Sequence, residues 1–292
     1  MGDKQGGYPY QSVSGDSFML LPLFSGRSGE WILEHHRGPA FELPPQTFLM
    51  HSIAIKVDGP SNVEVSLGGK TYRQSCTRGD VCVAPYRLSI EGARAEPGEF
   101  IQVHLRPSFL ERVAGDAHTE RVEIVPCLGV LDPLAAQTAG DLLEELTDGA
   151  GDPAYVDALV KALALHLIRY YSANAQNGGC RFGGLPNYLL TRLEDYINGS
   201  LDRRLSRTDA AQALGIDPSR LAHAFKATTG KGLLQYLNEC RVEKAKLLLT
   251  ENGLPIEEVG RRVGINNARR FAAIFHKLTG ISPEAFRQQS QT

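Results

Sequence analysis

The stretch Leu221-Ala222-His223-Ala224-Phe225-Lys226-Ala227-Thr228-Thr229-Gly230 returns 50 residues later as Phe271-Ala272-Ala273-Ile274-Phe275-His276-Lys277-Leu278-Thr279-Gly280. Both copies carry a large apolar residue, a Phe four positions on, and a Thr-Gly close. Each follows a short stretch of helical spacing that ends in Gly, residues 209–215 and 257–264. A short helix, a Gly-containing turn and a second helix make a helix-turn-helix. Two of them in tandem, joined by a long amphipathic stretch, predict an all-α domain that presents two readers to the major groove.

The local signals agree with that reading. Residues 188–197 place Leu189, Leu190, Leu193 and Ile197 at helical spacing. In the next predicted helix, 208–214, Ala210, Ala211 and Leu214 face inward, and Ala211 is small enough for a close crossing. Gly215 stands where the turn favours positive φ. Asp217-Pro218 opens the first recognition helix, with Asp as N-cap and Pro at the first helical position. Leu221 and Phe225 pin this helix to the core and leave Ser219, Arg220, His223 and Lys226 on its other faces. Residues 233–249 read as a long connecting helix, with Leu234, Leu237, Ala245 and Leu248 turned to the flanking units and Arg241, Lys244 and Lys246 solvated. In the second unit Ile256, Val259 and Val263 are core positions, Gly260 takes the place of Ala211, and Gly264 makes the turn. Asn266 or Asn267 caps the second recognition helix, which Phe271 and Phe275 anchor. Asn267, Arg269, Arg270 and Lys277 are then free to reach DNA. Ser282-Pro283 opens a short last helix.

These residue types suit the task. N-terminal residues of a recognition helix touch base edges. Arg donates bidentately to guanine and Asn pairs bidentately with adenine, while Lys226, Lys277 and Arg262 suit phosphates. Charge points the same way. From Leu185 onward there are 16 Lys+Arg against 11 Asp+Glu, or +5, whereas the rest of the chain has 31 − 16 = 15 against 33 − 11 = 22, or −7. A basic tail on an acidic body fits a nucleic-acid footprint. The turn of the second unit is one residue longer, since Gly215 to Phe225 spans ten steps and Gly264 to Phe275 eleven. The two units are therefore expected to read different sequences.

The front of the chain is built otherwise. Residues 30–106 read as short strands: 48–57 alternates, with Leu49, His51, Ile53, Ile55 and Val57 on one face. Val63, Val65 and Leu67 run into Gly68-Gly69, a hairpin dipeptide. Residues 99–105 alternate again, with Phe100, Gln102 and His104 on one side. Several short strands predict a small all-β barrel or sandwich. Helical spacing follows over 134–146 and 155–171, the latter with a stripe of Val156, Leu159, Val160, Leu163, Leu167 and Tyr170. Such helices either cap the chain's own barrel or pair with those of a second chain. Residues 172–184, rich in Gly, Asn and Ala, read as a linker.

At the residues of the two units the sequence resembles the AraC/XylS family of bacterial transcription regulators. The resemblance runs through Ile256-Glu257-Glu258-Val259-Gly260, Gly264, Phe271, Phe275, Thr279-Gly280, Ser282-Pro283 and Phe286-Arg287. It extends back through Gly215, Leu221, Phe225-Lys226, Gly230, Arg241, Ala245 and Leu248-Leu249. The pattern departs at Gly260, where the family usually has Ala, at Ile265, where it has Phe, and at Ala273, where a polar or basic residue is common. The resemblance implies a multidomain α+β chain: a cupin-like sensor over 1–128, a helical dimerisation segment over 129–171, the linker 172–184, and the DNA-binding domain 185–292. It also implies double-stranded promoter DNA and RNA polymerase as partners, a homodimer, and activation that responds to a small-molecule effector.

Trp31, His51, Tyr86 and His104 are the candidate effector contacts, since such sites are mostly apolar with a few polar groups. No catalytic residue, cofactor or metal is expected. His35 and His36 are neighbours on a strand and point to opposite faces. The five cysteines show no C-x-x-C and no paired framework. No run of 18 apolar residues spans a membrane, residues 1–17 lack the apolar run of a secretion signal, and a cytoplasmic protein is expected, nucleoid-associated when bound. Two other readings stand beside this one. In one the barrel only dimerises or binds a protein. In the other a metal-dependent cupin enzyme is fused to the DNA-binding tail.

Overall fold

A computed structural model of the chain describes residues 10–12, 24–115, 122–148, 151–173, 183–203, 205–251 and 253–290. The chain divides into two units, Met1–Pro186 and Asn187–Thr292. The first contains β1 (Tyr10–Ser12), β2 (Phe24–Arg27), β3 (Trp31–Gly38), β4 (Phe41–Leu43), β5 (Gln46–Phe48), β6 (His51–Lys56), β7 (Ser61–Leu67), β8 (Lys70–Cys76), β9 (Asp80–Ala84), β10 (Ser89–Ile90), β11 (Gly92–Ala95) and β12 (Gly98–Leu105). It continues with α1 (Pro107–Ala114), β13 (Cys127–Leu131), α2 (Pro133–Thr147) and α3 (Pro153–Tyr171).

The strands form three antiparallel sheets with orders β13-β9-β6-β12-β3-β2, β4-β11-β7-β8 and β1-β5-β10. The expected closed barrel is not formed among the described residues, because a barrel needs hydrogen bonding around the whole ring. The chain passes between the two large sheets at Pro39, Pro60 and Pro97, between β3 and β4, β6 and β7, and β11 and β12, and without a proline at Arg78-Gly79, between β8 and β9. Proline has no N–H to give to a ladder, so pairing ends at each of those three positions. The hairpin at Gly68-Gly69 forms as expected, both residues having positive φ, 58° and 71°, which suits a two-residue primed turn. The alternation over 48–57 does not make one strand. It breaks at Leu49-Met50, leaving Leu49 exposed, and resumes at His51.

Alternation sets the two faces of the six-stranded sheet. Leu33, Ile53, Ile55, Val81, Ile101, Val103 and Leu105 point to one side, where they meet Ala135, Ala139 and Leu142 of α2 and Val160, Leu163, Ala164 and Leu167 of α3. This is the main core of the unit. The predicted stripe on α3 is thus spent on the chain's own sheet, and residues 129–131 of the expected helical segment belong to strand β13. Asp132, fully buried, caps α2 by accepting from the Ala135 N–H (3.0 Å). It also accepts from the Tyr171 hydroxyl and bonds the His166 ring, both at 2.6 Å, which ties the two ends of the helical pair together.

The linker is shorter at both ends than 172–184. Ala173 N–H donates to Glu123 O (2.7 Å), Gly183 N–H to Leu128 O (2.8 Å), and Leu131 N–H to Gly184 O (3.1 Å). Gly183, at φ 69°, lets the backbone lie against Gln74, whose Oε1 is 3.2 Å from where a Cβ would stand. At Gly183 the missing side chain serves close approach. Residues 174–182, and Cys180 with them, lie outside the described residues.

The second unit is all helical: α4 (Asn187–Asn198), α5 (Arg207–Leu214), α6 (Pro218–Thr229), α7 (Leu233–Glu251), α8 (Ile256–Arg262), α9 (Ala268–Thr279) and α10 (Pro283–Ser290). α7 enters both halves. Leu233 and Leu237 are buried towards its start, and Val242, Ala245 and Leu249 pack with Val259, Val263, Ile265, Phe271 and Phe275. The phase of α7 differs from the expected one: Leu233 is inside and Leu234 half exposed, while Leu248 is only partly buried against the second core. Arg241, expected in solvent, is buried and donates from Nη2 to Arg203 O at 2.6 Å. It holds the turn after α4, a long-range role that helical spacing does not reveal.

Candidate nucleic-acid interface and N-terminal cavity

The two helix-turn-helix units are built by the same local chemistry. In the first, Ser206 and Asp209 form a reciprocal capping box for α5. The helix stops at Gly215, φ 68°, and Ile216 N–H returns to Ala211 O at 2.9 Å. Asp217 then caps α6, its Oδ1 accepting from Ser219 N–H (2.9 Å) and Arg220 N–H (3.0 Å), with Pro218 at the first turn. In the second unit Gly264 has φ 72°, Ile265 N–H returns to Gly260 O at 2.9 Å, and Asn267 caps α9 through Arg270 N–H (2.8 Å). Ile216 and Ile265 are equivalent and both buried, as are the two caps in role. The extra residue of the second turn is therefore Asn266, which is exposed.

With Leu221 and Phe225 fully buried, Ser219, His223 and Lys226 are exposed on α6, and Arg220 is half-buried. With Phe271 and Phe275 fully buried, Arg269, Arg270 and Lys277 are exposed on α9. Two of these expectations sharpen. Asn267 is exposed, but its Oδ1 already accepts the capping hydrogen bond, which fixes where the amide points. Arg269 and Arg270 part company. Two positions before Phe271 places Arg269 on the outward face, whereas Arg270 lines a groove with Arg241, Leu234 and Asn266. Burial, and the like charge of Arg270 after it, lower the Arg241 pKa. The reading missed His276. It is exposed, and it occupies on α9 the place of Lys226 on α6. The repeat itself carried that signal at its 50-residue offset.

Gly260 has a structural reason. A Cβ there would lie 3.1 Å from Ile265 O and 3.3 Å from the Phe271 ring, so the recognition helix sits closer to α8 than an alanine would allow without adjustment.

The N-terminal unit holds a cavity of about 200 Å³ between its sheets. Most of its wall is apolar, including Phe41, Leu43, Phe48, Val65, Phe100 and Leu128, with His36, Gln102, Ser52 and Lys56 among the polar groups. None of the four expected effector contacts lines it. Trp31 packs against the helix-side core. His51, on that same face, accepts from Tyr86 N–H at 3.2 Å through Nδ1, and its pKa is lowered by burial to about 4. Tyr86 and His51 line a separate surface pocket. His104 is fully buried behind the wall, where burial lowers its pKa. The sequence placed His104 correctly on the face of Phe100 and Gln102 but could not say how deep it lies. His35 and His36 do point to opposite faces: His35 bonds Glu99 at 2.7 Å, and His36 stacks on Phe100 with ring centroids 5.0 Å apart.

Among the described residues no group of three or more His, Cys, Asp or Glu is arranged to hold a metal ion, and no helix is long and apolar enough to cross a membrane. Cys76, Cys82, Cys127 and Cys240 form no disulfide among the described residues.

Two helix pairs, each with a left-handed glycine turn, a capped second helix and an outward face of hydrogen-bonding residues, define a double helix-turn-helix domain. Residues 210–289 match the family described as "Helix-turn-helix domain". The arabinose operon regulatory protein of Salmonella typhimurium is 39% identical over 93 residues, covering 32% of this chain and 33% of that protein. The HTH-type transcriptional regulator YijO of Escherichia coli is 37% identical over 101 residues, 35% of this chain and 36% of that one. The C-terminal domain of AraT, a response regulator from Geobacillus stearothermophilus, is 30% identical and covers 35% of this chain and 84% of that one, with a TM-score of 0.34. The C-terminal domain is an AraC-type helix-turn-helix domain with homologues among the AraC/XylS regulators. The match spans about a third of the length of these curated relatives.

Proposed function

We propose that this protein is a sequence-specific DNA-binding transcription regulator whose helices α6 and α9 enter successive major grooves on one face of the duplex. The observation that carries this reading is the pair of outward faces, Ser219, His223 and Lys226 on one helix and Arg269, His276 and Lys277 on the other. Both helices are pinned by the same apolar pair and capped by the same chemistry. Helix α7, with 19 residues, rises about 28 Å, near the ~34 Å of one helical turn of DNA. Because the two faces differ, one chain reads an asymmetric site. Arg269 reads a base edge, while Arg220, Lys226, Arg270 and Lys277 serve mainly to position the backbone.

The N-terminal cavity takes a small-molecule effector, which shifts the population of chains competent to bind promoter DNA. The existence of an apolar cavity favours this over a regulator whose sensor unit only dimerises. A homodimer forms through the outer face of α3, where Ala158, Lys161, Ala162, Leu165 and Arg169 are exposed. Activation by contact with RNA polymerase, in the cytoplasm, is what the family relationship implies for this chain. Selecting bound sequences from a random pool of duplex DNA tests the central claim. A single asymmetric consensus with two parts about one helical turn apart is expected. Uniform recovery of all sequences would remove the reading.

A further inference from the structure

Two of the cysteines meet at the N-terminal cavity. Cys76 closes β8 and Cys82 lies in β9, so they belong to the two large sheets that enclose the cavity, and both line it. Between them the chain reverses in a turn that is closed twice. Asp80 N–H donates to Thr77 O at 2.9 Å, and Thr77 N–H donates to the Asp80 carboxylate at 2.7 Å. Gly79, at φ 82°, supplies the left-handed residue at the third position of this turn. Strand β13 brings a third element to the same point. Its register against β9 shifts between Cys127 and Val130, and Gly129 within that shift has φ 69°. Gly129 N–H donates to the Cys82 sulfur, and a Cβ on Gly129 would stand 3.3 Å from the Cys76 sulfur. Both sulfurs therefore gather at one glycine, where the Cys76 S–H donates to the Cys82 sulfur.

The two thiols are not alike. Cys76 is 2% exposed, whereas Cys82 is only partly buried where it lines the cavity. The hydrogen bond from Cys76 holds the Cys82 thiol below its ordinary range, aided by Gly129 N–H, against burial and the nearby Asp80 carboxylate. That same bond, burial, and the charges of Cys82 and Asp80 push the Cys76 thiol up, and the Lys56 ammonium opposes them only in part. Cys82 is thus the nucleophile of the pair, and Cys76 keeps its proton. Thiolate character, access and a second thiol in contact together mark a sulfur that is oxidised reversibly, in contrast to an inert buried one. Cys127 directs its thiol to Val81 O, at 3.9 Å, within the helix-side core, and Cys240 lies in the other unit, so neither belongs to this pair.

We propose that Cys76 and Cys82 form a reversible disulfide when a small hydroperoxide enters the cavity. The Cys82 thiolate attacks the terminal peroxide oxygen and the O–O bond breaks. The departing oxygen takes a proton and leaves as an alcohol, or as water when the oxidant is hydrogen peroxide. Cys82 is then a sulfenic acid. The Cys76 sulfur attacks the Cys82 sulfur, the S–O bond breaks, and the hydroxyl leaves with the Cys76 proton as water. The two thiols are oxidised by two electrons in all, and the peroxide is reduced by them. A mostly apolar cavity of about 200 Å³ admits a small neutral oxidant and disfavours a charged one. This site stands whether or not the cavity also takes an effector.

Peptide mapping of the full chain tests it. The chain is reduced, freed of reductant, exposed to an equivalent of hydrogen peroxide, blocked with N-ethylmaleimide in denaturant and digested with trypsin. Cleavage after Arg73, Arg78 and Arg87 puts Cys76 in peptide 74–78 and Cys82 in peptide 79–87. A disulfide between them then appears as a cross-linked peptide pair that separates on reduction. This pair should be the main oxidised product, with Cys127, Cys180 and Cys240 still alkylated. Cys76→Ser should lose the cross-link and leave a sulfenic acid at Cys82 that dimedone traps. Cys82→Ser should lose the cross-link and give no dimedone adduct at Cys76. Should either variant not fold, the map of the unsubstituted chain still decides. The proposal is overturned if Cys76 and Cys82 remain alkylated, if the disulfides formed join other cysteines, or if dimedone marks Cys76 in place of Cys82.

Discussion

Gly264 and Gly215 hold the same place in the two units, yet replacing each by alanine should have very different consequences. Both have φ near 70°, 72° at Gly264 and 68° at Gly215. An L-residue in that region costs about 1–2 kcal/mol. At Gly215 nothing lies within 4 Å of the added Cβ, so that penalty is the whole effect. At Gly264 the Cβ would stand 2.5 Å from Leu201 O, 2.6 Å from Arg203 O and 2.8 Å from Arg241 Nη2. The turn at 201–203 would have to move, and Arg241 holds it there through Arg203 O. Overpacking adds roughly 1–3 kcal/mol, and loosening a charged hydrogen bond at a buried guanidinium adds about 1.5–3 kcal/mol. The total for Gly264→Ala is roughly 3.5–8 kcal/mol against about 1–2 for Gly215→Ala. Urea unfolding followed by circular dichroism at the helical band measures it. Trp31, the single tryptophan, lies in the other unit and serves as a fluorescence control that should not shift. Equal costs for the two variants, or a larger cost at Gly215, would refute the packing argument.

Three further outcomes are expected. Arg269→Ala should weaken binding to the selected DNA by about 1–3 kcal/mol and relax specificity at one position, whereas Arg270→Ala should weaken all sequences evenly and flatten the salt dependence; competition binding over a salt series separates them. Burial pushes the Asp132 carboxyl up, but His166, Tyr171 and the Ala135 N–H together hold it below its ordinary 3.8. A depressed carboxylate stabilises the fold above its unfolded value and loses that stabilisation as pH falls from about 3.8 through the lower folded value. Asp132→Asn should therefore cost roughly 3 kcal/mol near neutrality and flatten the acid limb of the Trp31 unfolding midpoint plotted against pH. Leu165→Glu should yield monomers in sedimentation velocity at concentrations where the parent chain dimerises, with the helix content unchanged; a dimeric Leu165→Glu variant would place the interface elsewhere.

The second unit was legible because its signals are local. Ser206, Asp217, Gly215, Gly264 and the Leu221–Phe225 and Phe271–Phe275 pairs act within a turn or two of themselves, and their spacing announces caps, turns and inward faces. The choice between Asn266 and Asn267 needed the backbone. Only when Ile265 is seen to be buried like Ile216 does Asn266 become the inserted residue and Asn267 the cap. Arg241 shows the opposite limit. Nothing within its own helix says that a carbonyl 38 residues away will claim it.

By itself, the sequence determined two helix-turn-helix units with capped recognition helices, the alternating strands, the hairpin at Gly68-Gly69 and the helices that follow them. Each of these rests on interactions between residues close in the chain, where backbone geometry converts spacing directly into a face. The tertiary structure decided how the strands divide among three sheets, and that His36 rather than Trp31, His51, Tyr86 or His104 lines the cavity. Alternation tells which strand residues share a face. It does not tell which face looks into a cavity and which into a packed core, because that depends on what the rest of the chain lays against each side.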